Sequence, residues 1–210
     1  MIVLSHRGYW LAPEEKNTPA AFERSFQQGF GTETDIRDAT GRLVISHDPP
    51  RGREMTFDDF LALHHRHNAN LPMAINVKAD GLQGLVAAAL ERNRPADWFV
   101  FDMSIPDTRG WLQAGFPVFV RHSDLERDPC FYDAAAGIWL DAFEKDWITA
   151  KDILAHLDAG KRVCVVSPEL HRRVPDAFWA HLAASDCRRS QNLMLCTDRP
   201  VEARALLGET

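Results

Sequence analysis

The sequence is poor in cysteine: its 210 residues contain four, Cys130, Cys164, Cys187 and Cys196, with no C-x-x-C spacing. A zinc site built from them and a disulfide framework are therefore not expected, and thiols that sit mostly in apolar runs are expected to be reduced and buried. No window approaches the roughly 20 apolar residues of a membrane span. The start, MIVLSHRGYW, has no basic leader region and only a four-residue apolar run before Ser5 and His6. The chain is accordingly expected to be cytoplasmic and complete, with no stable membrane insertion. Basic excess is also missing: 24 Lys and Arg stand against 30 Asp and Glu, for a net charge of −6. That excludes the broad positive footprint of a nucleic-acid or anionic-membrane binder, so a phosphate-bearing ligand would have to be captured by a local site. Repeats, low-complexity tracts and Ser/Gly-rich linkers are absent too, and residues 1–210 read as a single domain.

What is present is an ordinary globular composition, 45% hydrophobic and 26% charged, arranged as short apolar runs that alternate with amphipathic stretches. Strands are expected at IVLS (2–5), TETDI (32–36), MAINV (73–77), WFVF (98–101), PVFV (117–120), GIWLD (137–141), RVCVV (162–166) and LMLC (193–196). Helical segments follow capping residues at Thr18-Pro19, Thr56, Thr149 and Pro200, with others at 81–92, after Ser104 and at 175–184. The segment after Arg121 is the weakest of about eight. Eight strands alternating with helices fit a compact parallel (β/α)8 TIM barrel. One exception stands out between Arg37 and Arg53, where GRLVISHD reads as a β-hairpin arm inserted after strand two.

Strand two carries the chemistry. Residues i and i+2 of a strand share a face, so Glu33 and Asp35 project together, about 6.6 Å apart along the strand. Such a pair can converge on one hard cation. Taken alone it fits equally well a solvated strand end paired to Arg37 and Arg42. Polar residues at other strand ends favour the first reading, because in a TIM barrel the C-terminal strand ends form one functional face. Strand one ends Ser5-His6-Arg7-Gly8, the arm ends His47-Asp48, strand three reads Asn76-Val77-Lys78, and strand seven ends Ser167-Pro168-Glu169-Leu170-His171. Two imidazoles for proton transfer, an Arg and a Lys for an anion, and oxygen ligands for a cation suit phosphodiester hydrolysis. Arg121, Asp102 and Asp141 also end strands. The cluster His64-His65-Arg66-His67 reads as a solvated helix end.

H-R-G (6–8), N-T-x-x-A-F (17–22), E-T-D (33–35), H-D (47–48), N-V-K (76–78) and T-D-R-P (197–200) together resemble the glycerophosphodiester phosphodiesterase family. The resemblance is dense over residues 5–48, returns at 75–78 and 197–200, and is thin between. It implies a TIM barrel that hydrolyses a small phosphodiester, with His6 and His47 as general acid and base. It further implies that Arg7 contacts phosphate and that Glu33 and Asp35 bind Mg²⁺ or Ca²⁺. Where the family has E-x-K on strand three, this chain has Asn76 and Lys78; Asn76 is the third expected metal ligand and Lys78 a substrate contact. Arg121, Glu169 and His171 are the other expected substrate contacts.

Three departures matter. Asn76 removes one negative charge from the metal site, and Lys16 stands where the family's Glu precedes Asn-Thr, leaving Glu14 or Glu15 as replacements. VVSPELH also replaces the family's W-T-V-N run. A phosphodiester-binding barrel without turnover is therefore the rival reading, and a Schiff-base aldolase using Lys78 is a further one. The headgroup, the choice of metal and the oligomeric state are not written in the sequence.

Overall fold

The computed structural model of the chain describes residues 1–208. The strands among them are β1 (Ile2–His6), β2 (Gly31–Ala39), β3 (Arg42–Ile45), β4 (Met73–Val77), β5 (Trp98–Phe101), β6 (Phe119–His122), β7 (Gly137–Leu140), β8 (Arg162–Val166) and β9 (Leu193–Thr197). The helices are α1 (Pro19–Gln27), α2 (Phe57–Asn68), α3 (Gln83–Asn93), α4 (Ile105–Gln113), α5 (Ala150–Asp158), α6 (Asp176–Ala184) and α7 (Pro200–Leu207). Strand order is β5-β4-β2-β1-β9-β8-β7-β6, with β3 paired to β2 off this path. This is the α/β TIM-barrel class that the alternation implied, and the hairpin arm is present as well. Its turn is Thr40-Gly41, both residues at positive φ (49° and 80°), between the paired Ala39 and Arg42. Two positive-φ residues are what a tight two-residue hairpin requires.

Capping residues start the helices where they were expected. The Thr18 and Thr56 hydroxyls accept from Ala21 N and Asp59 N, and Thr149 forms a reciprocal capping box with Asp152. The described residues hold seven α-helices rather than about eight, because none forms between β6 and β7. That stretch, 123–136, has Pro129 at its middle and no apolar periodicity, and the Ser123 hydroxyl turns it by accepting from Leu125 N and Glu126 N.

Two compact units divide the chain: Ser5–Val118, and Met1–Leu4 with the chain from Phe119 onward. In the first, all five residues of β4 are buried, and Phe22, Phe26, Phe57 and Phe60 of α1 and α2 form an aromatic cluster with Phe22 and Phe60 centroids 4.7 Å apart. In the second, Ile138, Leu140, Val163, Val165, Leu193 and Leu195 of β7–β9 are fully buried. All four cysteines are free thiols; Cys164, Cys187 and Cys196 are buried, while Cys130 is exposed. One expectation is corrected. His64 is not solvated but buried, its Nε2 2.8 Å from the Leu71 carbonyl, because α2 turns that position onto the Phe26 edge. His65 and Arg66 remain exposed, as a helix end predicts.

The second unit also contains a partly buried polar chain: Tyr132 Oη lies 2.8 Å from His156 Nδ1, and His156 Nε2 lies 2.9 Å from His122 Nδ1. Burial, with His122 adding repulsion, pushes the His156 pKa down to about 4. The folded chain therefore keeps His156 neutral while the unfolded chain protonates it below about pH 6.5. More protons on the unfolded state mean that this residue costs stability as pH falls from 6.5 toward 4. Urea titrations of wild type and His156→Gln should show the wild type losing up to about 3 kcal/mol relative to the variant across that window.

Candidate active site

Strand β2 delivers Glu33 and Asp35 into the interior of the first unit, where they are 1% and 0% exposed. The parallel register with β4 sets Asp35 beside Asn76 and Ile36 beside Val77, and Lys78 N donates to Ile36 O at 3.0 Å. On the other side, Arg7 N donates to Glu33 O at 3.0 Å where the chain leaves β1. Arg7 takes φ +60° and Gly8 φ +83°. A side chain at position 8 would stand 2.8 Å from Ala21, which explains why H-R-G ends in glycine: the loop must lie flat on α1.

These backbone constraints gather charge around one carboxylate. Asp35 Oδ2 lies 2.9 Å from Arg7 Nε and accepts from Asn17 Nδ2 at 2.8 Å; Asn17 is fixed in turn by the Thr34 hydroxyl at 3.0 Å and by donating its own N–H to Arg7 O. Asp35 Oδ1 lies 3.5 Å from Lys78 Nζ, which also donates to Asp102 Oδ2 at 3.1 Å. His6 Nε2 is 3.9 Å from Glu33 Oε2. Asn17, at φ +60°, went unassigned in the reading of the sequence, although its N-T-x-x-A-F motif was the signal.

Burial and the neighbouring Asp35 charge push the Glu33 pKa up to about 7, against the pull of His6, Arg7 and Lys78. Desolvation lowers the Lys78 pKa. Three buried oxygens here have no hydrogen-bond partner among the described residues: Glu33 Oε2, Asp35 Oδ1 and Asn76 Oδ1. Such atoms are costly and rare. They belong to the three residues expected to hold a metal, and two carboxylates with an amide oxygen form a donor set suited to Mg²⁺ or Ca²⁺. No group of three or more His, Cys, Asp or Glu side chains able to hold a metal occurs among the described residues, so a set of three here would have to draw its third, neutral oxygen from Asn76. Glu15 does not supply another. It accepts from Leu11 N and pairs with Arg24 at 3.0 Å, and Lys16 lies over the Trp10 ring at 4.4 Å.

The hairpin arm reaches the same strand end through Ser46 N, which donates to Asp35 O at 3.0 Å. His47 follows, half exposed, with Nδ1 2.9 Å from Asp48 Oδ1 and its carbonyl held by Arg37 Nε. His47, foremost, and then Arg51 and Arg7 hold the Asp48 carboxyl below its ordinary range. Arg121, Glu169 and His171 belong to the second unit. There Arg121 lies over Phe143 (5.5 Å), His171 Nε2 is 2.6 Å from Asp141 Oδ1, and Glu169 accepts from the Ser167 and Thr197 hydroxyls and from Asp198 N.

No protein-family model and no curated protein matches the sequence. Solved structures do match over nearly the whole chain. A glycerophosphodiester phosphodiesterase from Agrobacterium tumefaciens aligns at TM-score 0.69 and 20% identity, covering 100% of both chains. An Oleispira antarctica phosphodiesterase, in complex with the product sn-glycerol-3-phosphate, aligns at TM-score 0.73 and 14% identity, covering 100% of this chain and 97% of that one. A glycerophosphoryl diester phosphodiesterase from Parabacteroides distasonis aligns at TM-score 0.64 and 13% identity, covering 98% and 85%. At these identities the likeness establishes the fold, a TIM barrel of the kind those three proteins share.

Replacing Glu33 by Gln removes the charge whose burial is opposed. In chelator the variant should melt above wild type by several degrees, or about 1–3 kcal/mol. The folded pKa is raised, so this advantage develops between pH 4.5 and about 7 and is full above that. Millimolar Mg²⁺ or Ca²⁺ should raise the wild-type melting temperature and leave the variant's unmoved, as read by differential scanning fluorimetry.

Proposed function

We propose that the protein is a metal-dependent phosphoric diester hydrolase acting on a glycerophosphodiester-like substrate. The observation that carries this reading is the set of three buried oxygens without a hydrogen bond, from Glu33, Asp35 and Asn76, flanked by His6, Arg7 and Lys78 within one compact unit. Likeness in fold to phosphodiesterases supports it, as does the product complex of the Oleispira protein. Glu33, Asp35 and Asn76 would hold the cation, which supplies neutralisation of a phosphate oxygen and charge stabilisation when bound.

The remaining work falls to this chain's own side chains. Arg7 and Lys78 present fixed positive charge to the phosphate anion. His6, at the edge of the carboxylates, and His47, with Asp48 on its Nδ1, exchange the proton of the attacking hydroxyl and that of the leaving alkoxide, the two roles an imidazole fills near neutral pH. Whether the attacking hydroxyl comes from water or from the substrate, the same two residues serve. Asn76 and the engagement of Glu15 by Arg24 favour a second reading, a barrel that binds phosphodiesters without turning them over.

Release of glycerol 3-phosphate from a panel of glycerophosphodiesters, and of nitrophenol from bis(4-nitrophenyl) phosphate, tests the assignment. Activity should vanish with chelator and return with Mg²⁺ or Ca²⁺. His6→Ala and His47→Ala should each lower kcat by about 10²–10⁴-fold with little change in KM. Substrate binding without metal-dependent release would establish the second reading instead.

A further inference from the structure

Lys78 stands between two carboxylates. Its Nζ is 3.1 Å from Asp102 Oδ2 and 3.5 Å from Asp35 Oδ1, the latter one of the three oxygens of the candidate metal set that lack a hydrogen bond. An ammonium and a divalent cation cannot share Asp35 without strong repulsion. Some device has to hold the lysine to one side, and Asp102, which accepts from the same ammonium, is placed for that role. Register explains its reach: Asn76 pairs with Phe101, so Asp102 leaves β5 beside the exit of β4 that carries Lys78. Asp102 also takes φ +72°, the left-handed region that non-glycine residues avoid, and residues held in that region cluster at functional sites. Glu33 and Asp35 draw the ammonium inward, while Arg7 repels it.

We propose that Asp102 is a positioning residue that parks the Lys78 ammonium beside Asp35, so that Asp35 Oδ1 stays open to the divalent cation and the lysine stays aimed at the phosphate. This rests on the metal-dependent reading of the site. Without Asp102, Lys78 closes onto Asp35 and becomes an internal competitor for the cation. The effect is distinct from simple loss of a negative charge near a metal, because it acts through Lys78.

A double-mutant cycle separates the two. Cation affinity is read by isothermal titration of the intact protein with Mg²⁺ or Ca²⁺, and by the luminescence of bound Tb³⁺. Asp102→Asn should weaken affinity by about 10–100-fold, the range seen when an outer partner of a metal site is removed. Lys78→Met should bind the cation at least as tightly as wild type, and Asp102→Asn should have little effect in the Lys78→Met background. Equal losses in both backgrounds would show that Asp102 acts by its charge alone and would overturn the proposal, as would unchanged affinity in Asp102→Asn. Asp102→Glu should restore part of the affinity, which a variant that merely perturbs the fold would not do; unfolding midpoints of all five proteins keep stability apart from binding. Failure of wild type itself to bind Mg²⁺, Ca²⁺ or Tb³⁺ would instead count against the metal-dependent reading.

Discussion

Two carboxylates of one strand lie in the interior of the first unit, and the structure around them is organised to tolerate their proximity. Isolated charges of like sign cannot be buried together without neutralisation, counter-charge or coordination. All three responses are visible here. The Glu33 pKa is pushed up, Arg7 and Lys78 crowd Asp35, and three oxygens are left without a hydrogen bond. The unusual backbone at Arg7, Asn17 and Asp102 follows from the same constraint, since each of these left-handed residues places a group that touches Asp35 or the lysine that touches it. Non-glycine residues in that region carry local strain, so their convergence on one carboxylate marks it as the centre of the site.

The elements supplying the site differ in rigidity. Glu33, Asp35 and Asn76 sit within paired strands whose ladders fix their direction. His6 and Arg7 lie at a strand exit tied to the neighbouring strand by Arg7 N and to the following loop through Asn17 N. His47 comes from the hairpin arm and is half exposed, fastened by its carbonyl to Arg37 and by its ring to Asp48. In the proposed function the cation ligands and one imidazole would thus rest on the sheet, while the second imidazole would depend on the arm keeping its place. Proton transfer would then be the more sensitive of the two to small displacements of the arm.

Much of this was legible beforehand because it depends on short-range pattern. Apolar runs bounded by capping threonines located the strands and helices, and the period of two put Glu33 and Asp35 on one face. Less visible was whatever depends on contact between distant segments. That Glu15 would turn to Arg24 follows from how the loop lies on α1. His64 looked like one of four solvated cationic positions, yet one turn of α2 buries it against Phe26 and the Leu71 carbonyl. Asn17 carried a motif but no obvious chemistry until Asp35 and Thr34 were found on either side of its amide. The missing helix between β6 and β7 was foreshadowed by Pro129 and by weak periodicity, whereas the Tyr132–His156–His122 chain was not, because its members are 24 and 34 residues apart.

That helixless stretch shapes how the second unit yields under stress. Residues 123–136 are held by isolated turns, by the Ser123 hydroxyl, by Asp124 accepting from the Phe143, Glu144 and Lys145 amides, by Tyr132 on His156 and by Lys161 donating to the Asp133 and Ala135 carbonyls, with much of their surface in water. Backbone amides in such a segment open at little free-energy cost compared with those of the flanking strands. It is accordingly the natural point of entry for a protease and the place where the chain can best accommodate inserted residues, far along the sequence from the acidic strand on which the chemistry rests.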